Sequence, residues 1–124
     1  MNAAFDKKIF IVDDDPFLTA MLEQILMEIG FTNLDLFADG KSCIQNIHQK
    51  PEIIFLDYQM EEMNGLDVLK KIKENSPETA VIFTTALEDL SIAMQSITHG
   101  SCDFLLKKNI SRKEVESILS EILN

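Results

Sequence analysis

The sequence predicts an α/β domain, a doubly wound parallel sheet of five strands with helices on both faces. Three observations carry that expectation. Short apolar runs of strand length alternate with stretches of helical periodicity five times within 124 residues. Runs such as Ile53-Ile54-Phe55-Leu56 are apolar throughout, as strands covered on both faces are. Four of the five runs also end on a polar residue able to do chemistry: Asp13-Asp14, Asp57, Thr85 and Lys107. In an open parallel sheet, those carboxyl ends are where ligands bind.

Residues 1–7 carry no pattern and are expected to form a loose leader before one domain over residues 8–124. Lys8 to Val12 reads as the first strand. Asp15-Pro16 then marks a helix start, since proline is pre-set for the first helical turn. Leu18, Met21, Leu22, Ile25, Leu26 and Ile29 fall on one face of that helix, and Gly30 stops it. Asn33 to Ala38 alternates and is short, as an edge strand would be. Asp39-Gly40 turns into a second helix carrying Ile44 and Ile47 inward, closed by Lys50-Pro51.

The strand at Ile53–Asp57 is followed by no turn residue until Asn64-Gly65, where a third helix opens with Leu66, Leu69 and Ile72 on one face. Asn75-Ser76-Pro77 ends it. Ala80 to Phe83 is a fourth strand running out to Thr84-Thr85-Ala86. A fourth helix, with Leu90, Ala93, Met94 and Ile97 inward, reaches Gly100. Phe104-Leu105-Leu106 is the fifth strand, and Ser111 caps a last helix that buries Val115, Ile118, Leu119 and Ile122.

Composition narrows the function classes. A chain of this length buries about two thirds of its unfolded surface in one core, and 46% hydrophobic residues mark it as globular. A net charge of −10 disfavours a nucleic-acid footprint. Cys43 and Cys102 lie far apart without metal-ligand spacing, as free thiols of a reducing compartment do. No apolar run reaches membrane-spanning length and the N-terminus has no signal-peptide core, so the expected location is cytoplasmic.

Where the ends of strands 1 and 3 are neighbours, as in a sheet of order 2-1-3-4-5, Asp13, Asp14 and Asp57 converge. Three carboxylates at close range repel by roughly 4 kcal/mol per pair at about 4 Å in an intermediate dielectric. A hard divalent cation with oxygen ligands offsets that, and Mg²⁺ fits carboxylates that also face phosphate oxygens. Lys107 adds an ammonium and Thr85 a hydroxyl, which completes a phosphoryl-transfer set with Asp57 as nucleophile. Singly, each residue has a plain structural explanation: Asp57 as a turn cap, Asp15-Pro16 as a helix start, Thr85 as a turn residue, Lys107 as a solvated side chain. Their joint placement points to chemistry.

From Lys8 to Leu123 the chain closely resembles the receiver domain of bacterial two-component response regulators. The matching motifs are Ile11-Val12-Asp13-Asp14, Leu56-Asp57 with Met60 and Gly65 downstream, Thr85-Ala86, and Asp103-Phe104-Leu105-Leu106-Lys107. The resemblance, not the spacing, supplies the strand order 2-1-3-4-5 and the flavodoxin-like (βα)5 arrangement. It implies that Asp57 is the phospho-acceptor and, with Asp14, a direct Mg²⁺ ligand, and that Asp13 acts through water. The backbone carbonyl of Gln59 completes the protein's share of the metal shell. Thr85 and Phe104 match the switch pair, and Lys107 pairs with the phosphoryl oxygens. The implied partners are a histidine kinase or histidine phosphotransfer protein and an unnamed downstream protein, with no nucleic acid or membrane bound directly. The output surface is the fourth helix, fifth strand and last helix.

Such a domain, as a stand-alone regulator or as the receiver of a larger protein, is expected to catalyse only its own Mg²⁺-dependent phosphorylation and dephosphorylation, without being a metabolic enzyme. The alternative is a degenerate receiver that binds partners without phosphorylation. A dehalogenase-type phosphatase lacks its acidic pair after the lysine, where Lys107-Lys108-Asn109 stands. A flavodoxin would need hydroxyls and amides where Asp13-Asp14-Asp15 would repel phosphate. The chain departs from the family at four places. Asp15 adds a third carboxylate after the first strand, which is expected to strengthen cation attraction without being a ligand. Lys108 replaces the usual proline, so the preceding bond is expected to run trans and to shift Lys107. Glu61 replaces another proline and loosens that loop. Apolar Leu87, two after Thr85, is expected to slow loss of the phosphoryl group.

Overall fold

The computed structural model describes residues 5–60, 63–86, 91 and 102–123. Five strands, Ile9–Val12 (β1), Leu34–Phe37 (β2), Ile53–Asp57 (β3), Ala80–Thr85 (β4) and Cys102–Leu106 (β5), form one sheet in the order β2-β1-β3-β4-β5. Every pairing is parallel. The expected strand order therefore holds, as does the doubly wound class.

Side chains alternate across each strand and so feed two separate cores. Ile9, Ile11, Ile53, Phe55, Ile82 and Leu105 pack with Leu22, Leu26, Val115 and Leu119 on one face. Phe10, Val12, Ile54, Leu56, Val81 and Phe83 pack with Cys43, Ile47, Val68, Leu69 and Ile72 on the other. Unbroken apolar runs at β1 and β3 are the sequence mark of this two-sided burial.

The first core is roofed by helix α1 (Pro16–Ile29) and the C-terminal helix (Arg112–Leu123), which touch each other. The Asp15 side chain accepts the Phe17 N–H at the start of α1, and Gly30 ends it at φ 132°. Ser111 Oγ accepts the Glu114 N–H, as a cap of the last helix should. The second core is roofed by α2 (Gly40–Gln45) and α3 (Gly65–Asn75).

Several local expectations change. α2 is only six residues, and a 3-10 turn at Ile47–Gln49 follows it, with Lys50 left-handed at φ 51°. Buried Cys43 and Ile47, with Ile44 partly covered, anchor this segment. β5 begins at Cys102, two positions before Phe104, where the apolar run starts. The stretch read as a loose leader is packed in part. Phe5 meets Phe31 edge to face at 5.3 Å, and its carbonyl accepts the Thr32 N–H. Most of the expected fourth helix, including Leu90, Ala93, Met94 and Ile97, lies outside the described residues, as do Glu61 and Leu87. No helix among the described residues is long and apolar enough to cross a membrane.

Candidate functional site

The polar strand ends meet at the carboxyl edge of the sheet. Asp57 is the last residue of β3, flanked by β1 and β4, so its side chain emerges at the centre of the sheet. Asp13 follows β1 directly, and its N–H donates to the Phe37 carbonyl at the end of β2. Thr85 closes β4, and Lys107 follows β5 in a 3-10 turn over Lys107–Asn109. Carboxylate oxygens of Asp13, Asp14 and Asp57 all lie within 4.8 Å of one another. Asp13 and Asp57 are 3% and 1% exposed, whereas Asp14 is open to solvent.

One oxygen of each buried acid is held by the backbone. Asp13 Oδ1 accepts the Asp15 N–H at 2.9 Å, and Asp57 Oδ1 accepts the Gln59 N–H at 3.2 Å. Both are short side-chain turns of the kind aspartate favours. Lys107 Nζ lies 3.0 Å from Asp57 Oδ1 and 3.5 Å from Asp13 Oδ2. No peptide bond is cis among the described residues, so the Lys107–Lys108 bond is trans and the ammonium still reaches both acids. The second oxygens, Asp13 Oδ2 and Asp57 Oδ2, are buried without any hydrogen-bond partner.

The electrostatics follow from this crowding. Burial pushes the Asp13 carboxyl up to about 6; the Asp15 N–H opposes the rise and the Asp57 charge adds to it. Burial also raises Asp57, against the Lys107 hydrogen bond and charge and the Gln59 N–H, which pull it down. For Lys107, burial alone would lower the ammonium, but the bond to Asp57 and the charges of Asp57 and Asp13 outweigh it and leave it raised. Two buried carboxylate oxygens without a hydrogen bond, one of them 3.5 Å from the Lys107 ammonium, beside a third, solvated carboxylate are a donor set for a hard divalent cation. The residues present fit Mg²⁺.

The expected site residues do not all converge. Asp13, Asp14, Asp57 and Lys107 form the cluster, and Gln59 joins it through its N–H. The Thr85 hydroxyl is buried but donates to the Ala86 carbonyl at 3.2 Å, turned to its own backbone. Phe104 is half-buried and stacks on Phe83 at 5.8 Å.

Two features escaped sequence reasoning. A cleft of about 330 Å³ opens beside Asp14, lined by Ala38, Asp39, Gly40, Lys41, Met60 and Met63. Gly65 does more than open α3. A Cβ there would fall 2.8 Å from the Tyr58 Cα and 2.8 Å from Phe83 Cε1, and its N–H donates to the Tyr58 carbonyl. Its eight-residue spacing from Asp57 was the available signal.

Residues 9–120 match the family model described as the response regulator receiver domain. Among curated proteins, the chemotaxis protein CheY of Thermotoga maritima is 29% identical over 113 residues, covering 90% of this chain and 94% of that one. The regulatory protein LuxO of Vibrio vulnificus is 33% identical over 98 residues, covering 78% of this chain but only 21% of LuxO. The signal receiver domain of a LuxO repressor protein from Vibrio parahaemolyticus superposes with a TM-score of 0.84 at 28% identity, covering 95% of this chain and 90% of that one. A response regulator receiver domain from Clostridium thermocellum reaches 0.86 at 21% identity, a likeness of fold.

Proposed function

The chain belongs to the response regulator receiver domain family, and on that premise we propose that Asp57 is a phospho-acceptor charged by a phosphohistidine donor. Receiver domains bind Mg²⁺ at an acidic pocket and work between kinases and downstream effectors. The observation that carries the proposal is the split state of the Asp57 carboxylate. Oδ1 is held by the Lys107 ammonium and the Gln59 N–H, while buried Oδ2 has no partner. A nucleophile needs that combination: a fixed orientation and one oxygen free to react.

In the proposed step, an Asp57 oxygen bonds phosphorus as the P–N bond to the donor imidazole breaks, and the imidazole takes up a proton from solvent. Asp14, Asp57 and the Gln59 carbonyl, with Asp13 through water, would hold Mg²⁺, which when bound supplies positive charge to the phosphoryl oxygens. Lys107 is already beside the acceptor and needs only a small movement to pair with a phosphoryl oxygen. Thr85 must release the Ala86 carbonyl before its hydroxyl can do the same, which supports a switching role for it. Such a protein turns over no metabolite; it catalyses its own modification and reads it out.

Intact mass after incubation with acetyl phosphate and Mg²⁺ tests this. The wild type should gain one phosphoryl mass, and Asp57→Asn or added chelator should abolish the gain. A folded wild type that gains nothing would favour a receiver that binds its partners without phosphorylation.

A further inference from the structure

The geometry points to Phe83 as a positioning residue that couples the Asp57 loop to the ring of Phe104, an inference that rests on the phospho-acceptor reading above. Strand register sets the arrangement. Phe83 is the Cα partner of Leu56 in β3 and of Phe104 in β5. Tyr58 follows Leu56 by two residues, so its side chain emerges on the face that Phe83 and Phe104 share. All three rings pack in the core under α2 and α3. Tyr58 meets Phe83 edge to face at 5.4 Å and 84°, and Phe104 stacks on Phe83 at 5.8 Å and 24°.

Phe83 is fully buried, and the missing Cβ of Gly65 makes room for its ring, since a Cβ there would lie 2.8 Å from Phe83 Cε1. The ring therefore has little freedom to move without its neighbours. Its contact with Tyr58 bears on the acceptor directly. The Tyr58 carbonyl takes the Gly65 N–H, and the next N–H, that of Gln59, holds Asp57 Oδ1. A change in what Asp57 Oδ1 binds shifts the Tyr58–Gln59 peptide, and the Tyr58 ring carries that shift to Phe83 and on to Phe104. This route runs through packing and does not use the Thr85 hydroxyl.

A double-mutant cycle tests the coupling. The apparent affinity for beryllium fluoride with Mg²⁺, a phosphoryl mimic, is measured by calorimetry for wild type, Tyr58→Leu, Phe104→Leu and the double variant. The cycle is repeated with Phe83→Leu and with Phe83→Met, after circular dichroism shows that each is folded. With Phe83 present, the two single effects should fail to multiply by about two- to tenfold. Without it they should multiply to within about 1.5-fold. Tyr58 is the one tyrosine of a chain without tryptophan, so its emission is a second readout. Phe104→Leu should change that emission in the Phe83 protein but not in the Phe83→Leu protein.

Effects that multiply in the Phe83 background overturn the relay even if both Phe83 variants unfold, and so does equal coupling with and without Phe83. A wild type that binds no beryllium fluoride overturns the Asp57 reading, and the relay with it. Binding that is normal but uncoupled overturns the relay alone.

Discussion

Replacing Asp13 with asparagine should stabilise the metal-free domain at neutral pH. Asp13 is buried, belongs to the three-carboxylate cluster, and has one oxygen without a hydrogen-bond partner. Burial first, and the Asp57 charge after it, raise its carboxyl from 3.8 to about 6 against the Asp15 N–H. Between those values the folded chain keeps a proton that the unfolded chain releases. The folded state therefore loses stability as pH rises through that window, by roughly 3 kcal/mol from its acid end to neutrality. Asp57 is raised as well in the wild type, by burial first. Lys107 is raised, so its contribution is constant below neutrality and lost only in alkali.

An amide at position 13 escapes the penalty and keeps an oxygen for the Asp15 N–H, but it gives up the attraction to Lys107. The net gain should be about 1–2 kcal/mol, less than the full shift because of that lost attraction. One kcal/mol moves the melting midpoint of a domain this size by about 4 °C, so the variant should melt about 4–8 °C higher in chelator at pH 7. The assay is thermal unfolding of both proteins at pH 7 and pH 4.5, with chelator and then with Mg²⁺. The gap should shrink towards zero at the lower pH, and Mg²⁺ should raise the wild type more than the variant. A variant that melts below wild type at pH 7 without metal, or a gap indifferent to pH, would refute the reasoning.

Other expectations follow from the same geometry. Mg²⁺ affinity should weaken as pH falls through about 6, because the cation must displace the Asp13 proton; calorimetric titration at pH 5.5 and 7.5 checks this, and equal affinities would count against it. Lys107→Met leaves two buried acids without their ammonium and should cost about 2–4 kcal/mol in urea unfolding at pH 7; a loss below about 1 kcal/mol would mean the pair is solvated. Gly65→Ala drives a methyl into the Tyr58 backbone and Phe83, and should cost at least about 2 kcal/mol. It should also slow acetyl phosphate labelling of Asp57, so an alanine variant of wild-type stability and rate would sink that account. Gly30→Ala places a Cβ at φ 132° against the Phe5 ring and should cost about 1–2 kcal/mol by the same assay.

Much of this was legible in the sequence because the signals were redundant. Strands β1 and β3 announce themselves by four apolar residues in a row, and only burial on both faces explains such runs. Asp13, Asp14, Asp57 and Lys107 were readable because strand ends are fixed once strands are found. What sequence reasoning missed depends on contacts between distant segments. Nothing near Phe5 reveals that Phe31 awaits it, since that pairing forms only when β1 brings the N-terminus beside the end of α1. Helical periodicity at Ile44 and Ile47 does not show that the chain tightens after Gln45. The orientation of the Thr85 hydroxyl is a rotamer choice that residue identity leaves open. Gly65 looked like a helix opener because its close approach to Tyr58 exists only in three dimensions.

The outer strand β2 has a consequence for the protein in concentrated solution. An open edge invites strands from other molecules, and Leu36 sits on this one 39% exposed. Its four residues offer an incoming strand only a short ladder. Asp35 occupies the middle of that edge and is bonded at 3.2 Å to Lys8, whose ammonium also reaches Asn33 Oδ1. A second molecule can dock there only by stripping water from this ion pair. The barrier to such docking would rest on one carboxylate and one amine at the rim, and salt, which screens them, would lower it.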